Sequence, residues 1–269
     1  MTVVRKGSMK AMAAMCSAAA LILTTSAAGT AMAQDGSDNS GTNPINFTWD
    51  WRSYVEMQDI GKSEDTSLTL QTIEQRMPVG SKANFRYRVR HVSLSLDPGG
   101  EGTSREISGL GDWDTRVLYV PKVSAKAALV VGLEASFNTA SNRFLGSGKT
   151  TLGPQIFGVF FRPPGGGALI APAYQYVFHV AGDADRADIS RSQFDVFYLW
   201  LDKGKKWWVM ANPQAVIDHE GETEFALLEA EYGRMMFAGL SSYVRPSVGI
   251  GEHRPYDLSA EFGLKVIYK

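Results

Sequence analysis

Leu258 to Tyr268 alternates with hardly a fault. Leu258, Ala260, Phe262, Leu264, Val266 and Tyr268 fall on one face, and Asp257, Ser259, Glu261, Gly263 and Lys265 on the other. Only an extended strand repeats every two residues, so this stretch predicts a strand with one oily and one wet face. The pattern recurs back to Phe47 and predicts twelve strands, at 46–57, 67–77, 84–96, 113–121, 127–137, 151–161, 169–180, 191–201, 207–217, 224–235, 239–250 and 256–268. Strands of ~10 residues in even number predict an all-β fold, a transmembrane antiparallel up-and-down barrel. Thr223–Met236, with Phe225, Leu227 and Leu228 close together, imitates a helix, but its place in the rhythm makes it a strand.

Beyond the first 33 residues no apolar run approaches the ~18 residues that a membrane helix needs. The longest, near Ala127–Leu133, is interrupted by Gly132. A chain of this kind crosses lipid only as a closed barrel, because hydrocarbon cannot satisfy an open sheet edge.

Residues 1–33 read as a cleaved secretory signal peptide. Arg5, Lys6 and Lys10 precede an apolar stretch densest at Ala18–Leu23, and Ala31-Met-Ala33 fits a cleavage site. Residues 34–44 read as a flexible tail and 45–269 as the barrel. The lone Cys16 leaves with the leader, so no disulfide framework is expected. Cleavage removes three of the 27 basic residues and none of the 28 acidic ones, leaving a formal net charge of −4. Nothing in that balance suggests nucleic acid.

The connections alternate in length and charge. The expected turns at 78–83, 122–126, 162–168, 202–206 and 236–238 are short and carry Lys82, Lys122, Lys126, Arg162, Lys203, Lys205 and Lys206 against Asp202 alone. These read as periplasmic. The expected outer loops include the two longest, 97–112 and 138–150, and are rich in Asp and Glu. Acidic loops beside lipopolysaccharide leave two readings: bridging to it by divalent cations, or ordinary solvated loops. Trp49, Trp51, Trp113, Tyr119, Trp200, Trp207, Tyr256 and Tyr268 lie mostly near strand ends, the pattern of an aromatic girdle.

Candidate functional residues follow from strand parity. With Phe85, Tyr87 and Val89 facing lipid, Arg86, Arg88 and Arg90 form an inward basic ladder. The same parity turns Arg52, Glu56, Arg116, Glu134, Gln175, His179, Asp195, Gln214, Glu229, Glu231, Arg245, Glu261 and Lys265 inward. The solute-binding candidates are Arg86, Arg88, Arg90, Arg116, Glu134, His179, Asp195, Glu229, Glu231 and Arg245. Glu134, Glu229 and Glu231 are the expected partners of the ladder. Buried charges must pair or meet water, which leaves two readings: a salt-bridged plug, or a pathway that attracts solutes. Mixed sign argues against strong ion selectivity.

Other motifs fail their chemistry. Gly146-Ser-Gly-Lys-Thr150 ends like a phosphate loop, but the first required glycine falls on Arg143. Asp218-His-Glu220 reads as a polar hairpin tip rather than a metal site. His179 followed by Ser190 and Ser192 resembles outer-membrane phospholipase A, also a twelve-stranded barrel, but the position where that enzyme has its serine is Ala181. No catalytic residue, metal or cofactor is therefore expected.

Several segments resemble one family. They are Gly109-Leu-Gly-Asp112, Phe137-Asn-Thr-Ala-Ser-Asn142, Leu145-Gly-Ser-Gly-Lys-Thr-Thr-Leu-Gly-Pro154, Ala181-Gly-Asp-Ala-Asp-Arg-Ala-Asp-Ile189, a Trp-rich strand with Pro213, and Phe262–Tyr268. Over Ile73–Lys269 the chain is similar to the outer-membrane barrels of the MetA-pathway of phenol degradation family, which are transporter-like. Asn138 stands where that family has proline, and the chain ends on Lys269 rather than an aromatic residue. The resemblance implies uptake of small, often aromatic or hydrophobic compounds. The function expected is a passive outer-membrane channel for small organic solutes. Its expected partners are outer-membrane lipid, lipopolysaccharide and the barrel-assembly machinery. The alternatives are a lipid-acting hydrolase and a structural barrel without transport.

Overall fold

Backbone groups in a barrel strand find their partners on neighbouring strands, so the pairing pattern decides whether the sheet has an edge. The computed structural model describes residues 43–60, 66–96, 105–162 and 168–268; the expected signal peptide and most of the expected 34–44 tail lie outside them. The strand segments are β1 (Trp49–Asp59), β2 (Ser67–Val79), β3 (Ala83–Leu96), β4 (Arg105–Leu110), β5 (Trp113–Val123), β6 (Ala127–Phe137), β7 (Lys149–Phe161), β8 (Leu169–Gly182), β9 (Ser190–Leu201), β10 (Trp207–Asp218), β11 (Thr223–Phe237), β12 (Leu240–Ile250) and β13 (Leu258–Tyr268). No helix occurs among the described residues.

Neighbours in sequence pair antiparallel, except that β4 and β5 both pair with β3, and β1 pairs with β13 from Trp49↔Tyr268 to Asp59↔Leu258. The sheet is thus closed. β4 and β5 are two halves of one stave. β4 pairs with His91–Leu96 of β3, and β5 with Ala83–Arg88. Between them the Gly111 N–H donates to Arg90 O at 2.9 Å, so the line of pairing barely breaks. The barrel therefore has twelve staves. The expected loop 97–112 is corrected here: Arg105–Leu110 continues the stave, because Leu94 and Val92 of β3 offer it unspent backbone groups.

Both termini lie at the turn end of the barrel; the longer connections lie at the loop end. Side chains alternate as the pleat requires. Phe262, Leu264, Val266 and Tyr268 are exposed on the outside, while Glu261 and Lys265 are buried within. Around the turn end Trp49, Trp51, Tyr119, Trp200, Trp207 and Tyr268 stand outward and exposed, and Trp113 is exposed nearer the loop end. Tyr256 departs from the girdle expectation. It is buried, and its hydroxyl lies 2.7 Å from Ser247 Oγ, because the loop before β13 folds over the rim into the mouth.

The turns are locally coded. Asp202, the one acidic turn residue, accepts the backbone N–H groups of Gly204 and Trp207 at 3.0 Å each. Those N–H groups, Trp207's above all, hold its carboxyl below the usual range.

A cationic head on the lipid face opposes insertion. Leu264→Arg is expected to destabilise the barrel by ~2–4 kcal/mol near the bilayer midplane, read as a lowered urea midpoint on a heat-modifiability gel. An unchanged midpoint would mean that β13 presents its other face to lipid.

Candidate functional site in the barrel lumen

The lumen has two unlike walls. On one, from β6 to β10, inward residues of the turn-end half are apolar: Val130, Phe157, Val159, Leu169, Leu199 and Trp208 are buried there. Ile45 and Phe47, from the segment before β1, pack against this wall and fill the turn end of the lumen. On the other wall, charges pair in two clusters.

The first cluster holds the arginine ladder. Asp114 binds all three rungs: Arg86 Nη2 at 2.9 Å, Arg88 Nε at 2.7 Å and Arg90 Nη1 at 2.7 Å. Glu134 binds Arg86 at 2.7 Å and Arg88 at 3.5 Å. Beside them Arg52 donates to Asp50 at 2.7 Å, and Arg76 pairs with Glu74. Asp114 was legible, since it shares parity with Arg116, but its place at the start of a strand hid it. Glu229 and Glu231 do not serve the ladder and are corrected here: β11 stands five staves from β3 around the barrel, beyond the reach of its arginines.

Glu231 anchors the second cluster instead. It accepts Lys265 Nζ at 3.0 Å, Trp208 Nε1–H at 2.6 Å and the guanidinium of Arg245, which also meets Glu261 at 3.2 Å. The Lys265 ammonium lies 4.9 Å from the Trp208 ring centre and 4.5 Å from that of Tyr243, close enough for cation–π attraction. Both rings lie over glycines on adjacent staves. A Cβ on Gly233 would stand 2.0 Å from Trp208, and one on Gly263 2.3 Å from Tyr243. Removing one partner from such a cluster strands buried charge, which is far costlier than never having buried the pair.

Two cavities flank the ladder. The inner one, about 250 Å³, is lined among others by Arg116, Gln155, Phe157, Asp195, Phe197 and Asn212. The outer one, about 480 Å³, opens at the loop end and includes Leu68, Leu70, Arg90, Val92 and Leu145. They share no lining residue. Along β3, Asn84 lines the inner cavity and Arg90 the outer, so Arg86 and Arg88 stand between them.

The remaining candidates lie elsewhere. Glu229 accepts Asn212 Nδ2 at 3.3 Å. His179 sits at the loop end, where the Ile189 N–H donates to its Nδ1 at 3.2 Å and Asp188 lies 3.2 Å from its Nε2. Asp188 also accepts Lys149 Nζ at 2.8 Å, and that hydrogen bond holds its carboxyl below the usual range. Lys149 of the phosphate-loop lookalike is thus a loop tie. Asp112 accepts backbone N–H from Thr139, Ala140 and Ser147, and Arg186 donates to the carbonyls of Gly146 and Ser147. Gly148 (φ +73°) and Gly182 (φ +137°) hold conformations that side chains disfavour. These contacts lash loops 138–148 and 183–189 to the stave break at Gly111. Four of the segments quoted for the resemblance, within 109–112, 137–142, 145–154 and 181–189, meet there as scaffolding.

One further contact lies on the outer wall near the loop end. His219 Nε2 lies 2.9 Å from Ser192 Oγ, which is also 3.1 Å from the Tyr174 hydroxyl. Among the described residues no group of three His, Cys, Asp or Glu side chains is arranged to hold a metal.

No family profile matches the chain, and no curated protein matches it. Solved structures do resemble it. An outer membrane channel from Pseudomonas putida F1 superposes with a TM-score of 0.64 at 11% identity, over 88% of this chain and 100% of that one. The NanC porin gives 0.54 at 11% identity, over 82% and 99%. The KdgM porin, in complex with disordered oligogalacturonate, gives 0.50 at 10% identity, over 82% and 99%. The fold is that of outer-membrane channels and porins.

Asp114→Asn takes the shared carboxylate from three guanidinium groups, leaving Glu134 to Arg86 and Arg88 and, among the described residues, no carboxylate to Arg90. The expected loss is ~3–5 kcal/mol, measured as a shifted urea midpoint; an unchanged midpoint would show the ladder to be held by water. Ile45→Asp with Phe47→Asp should expel the segment before β1 and raise single-channel conductance in planar bilayers. Conductance equal to wild type would show that this segment does not obstruct the path.

Proposed function

We propose that this chain is an outer-membrane channel for passive passage of small organic solutes, with turns in the periplasm and loops outside. One observation carries the reading: inside a closed barrel with an apolar exterior lies a cavity lined by both charged and apolar side chains. Cavities of that mixed kind suit solutes with a polar head and an oily body. The likeness to channel structures supports the architecture, and the resemblance to the phenol-degradation family supports aromatic or hydrophobic cargo. Passage needs no cofactor. Export by the signal peptide, insertion by the barrel-assembly machinery, and loops set among outer-membrane lipid and lipopolysaccharide complete the proposal, with no role for nucleic acid.

Liposome swelling tests it. Vesicles holding the protein should admit benzyl alcohol and phenylalanine faster than protein-free vesicles, and raffinose no faster. If neither small solute enters faster, even with Ile45→Asp and Phe47→Asp, the reading fails.

A second reading, a lipid-acting hydrolase, is favoured by the Ser192–His219 contact on the outer wall. A nucleophile needs its base oriented by a third group. The neighbouring carboxylate, Asp218, is instead engaged by Arg191 at 2.7 Å and by the backbone of Glu220 and Gly221. Purified protein should release no fatty acid from phospholipid micelles. Release that Ser192→Ala abolishes would establish the enzyme.

A further inference from the structure

Most charges around the inner cavity are already committed. Arg52 is held by Asp50, Arg76 by Glu74, and Arg245 and Lys265 by Glu231. Two are not. Arg116 on β5 has no carboxylate within 4.0 Å and no hydrogen bond among the described residues, and its Nε is buried without a partner. Asp195 on β9 has no cation within 4.0 Å; its carboxylate accepts only Gln193 Nε2, at 3.1 and 3.2 Å. Two further polar atoms of residues lining the same cavity meet no protein partner: the donor Gln155 Nε2 on β7, toward the Arg116 side, and the acceptor Asn212 Oδ1 on β10, the stave next to Asp195. The cavity therefore has a donor wall and an acceptor wall. Phe157, Phe197 and Met210 line the space as well, and Phe47 closes it toward the turn end.

We propose that this cavity binds a small zwitterion with an apolar side group, an amino-acid-like solute. Its carboxylate meets Arg116 and Gln155, its ammonium meets Asp195 and Asn212, and its side group lies on Phe157 and Phe197. A simple organic anion leaves Asp195 without a counter-charge and a simple amine leaves Arg116 without one, while the zwitterion answers both. Burying a charge beside a matched partner is what makes such recognition selective. The proposal rests on the lumen being the solute path and names the class of solute.

Titration calorimetry on the full barrel in detergent tests it with four probes that share a benzyl group: phenylalanine, 3-phenylpropionate, 2-phenylethylamine and benzyl alcohol. Phenylalanine should bind about tenfold or more tighter than either singly charged probe, the loss expected for one charged hydrogen-bonded contact. Arg116→Gln should weaken phenylalanine and 3-phenylpropionate but not 2-phenylethylamine. Asp195→Asn should weaken phenylalanine and 2-phenylethylamine but not 3-phenylpropionate. Undetectable phenylalanine binding, benzyl alcohol binding as tightly, or both variants weakening every probe alike would overturn it. The wild-type series decides alone if a variant does not fold. Planar-bilayer recording separates the two claims: a conducting barrel that binds no phenylalanine refutes this inference only, and a binding barrel that never conducts refutes the channel.

Discussion

The seam between β1 and β13 is the contact on which everything else rests. Its eleven residue pairs join the two ends of the sheet, from Trp49↔Tyr268 to Asp59↔Leu258. Without it both terminal staves would expose rows of unpaired N–H and C=O groups to hydrocarbon, at several kcal/mol each. Closure also creates an inside. Arg52, Glu261 and Lys265 are buried only because the seam carries their strands to the same side of one wall.

A closed barrel of twelve staves encloses a space that side chains must fill or leave wet. Here the two halves of the wall solve this differently. Between β6 and β10 the turn-end interior is packed with aliphatic and aromatic groups, topped up by Ile45 and Phe47. Opposite, cations and carboxylates neutralise one another, with Asp114 and Glu231 each binding more than one cation. Charge pairing of this kind adds little net stability, but it is exacting: each member makes the others tolerable. The clusters therefore hold the lumen's shape rather than offer free charge to a solute.

The architecture was legible because period-2 alternation survives wherever one face is oily and the other wet. The spans 127–137, 191–201 and 207–217 each lie within a residue or so of β6, β9 and β10. What alternation cannot show is which inward residues meet across the lumen. Glu231 and Arg86 share parity, yet β11 and β3 stand five staves apart around the barrel, and only the closed geometry shows that distance. Nor does alternation identify Arg105–Leu110 as half a stave, since Gly111 and Asp112 interrupt the run. The Ala127–Leu133 run held a further clue. It is apolar on both faces because one meets lipid and the other the packed interior, whereas a wet lumen would demand a polar face. The partly apolar lumen was thus written in the residue run that first tested for a membrane helix.

That packed interior also changes what gating would require. Opening a path through the ladder would part Arg86 and Arg88 from Asp114 and Glu134 together, exposing several buried charges at once. Moving the segment before β1 breaks chiefly apolar contacts of Ile45 and Phe47, and its Asn43, Pro44 and Asn46 already line the cavity. Ile45 and Phe47 are only partly buried, so each contributes less than the ~1.5–3 kcal/mol of a fully buried side chain, whereas each ladder partner left stranded costs ~3–5 kcal/mol. The ladder lies above the inner cavity and the segment below it. If the lumen is the proposed solute path, a solute entering from the loop end would have to slip past fixed guanidinium groups, whereas its exit toward the turns would depend on a segment held by oil. On that proposal the asymmetry makes the turn end the softer gate, with Arg116 and Asp195 in the chamber between the two.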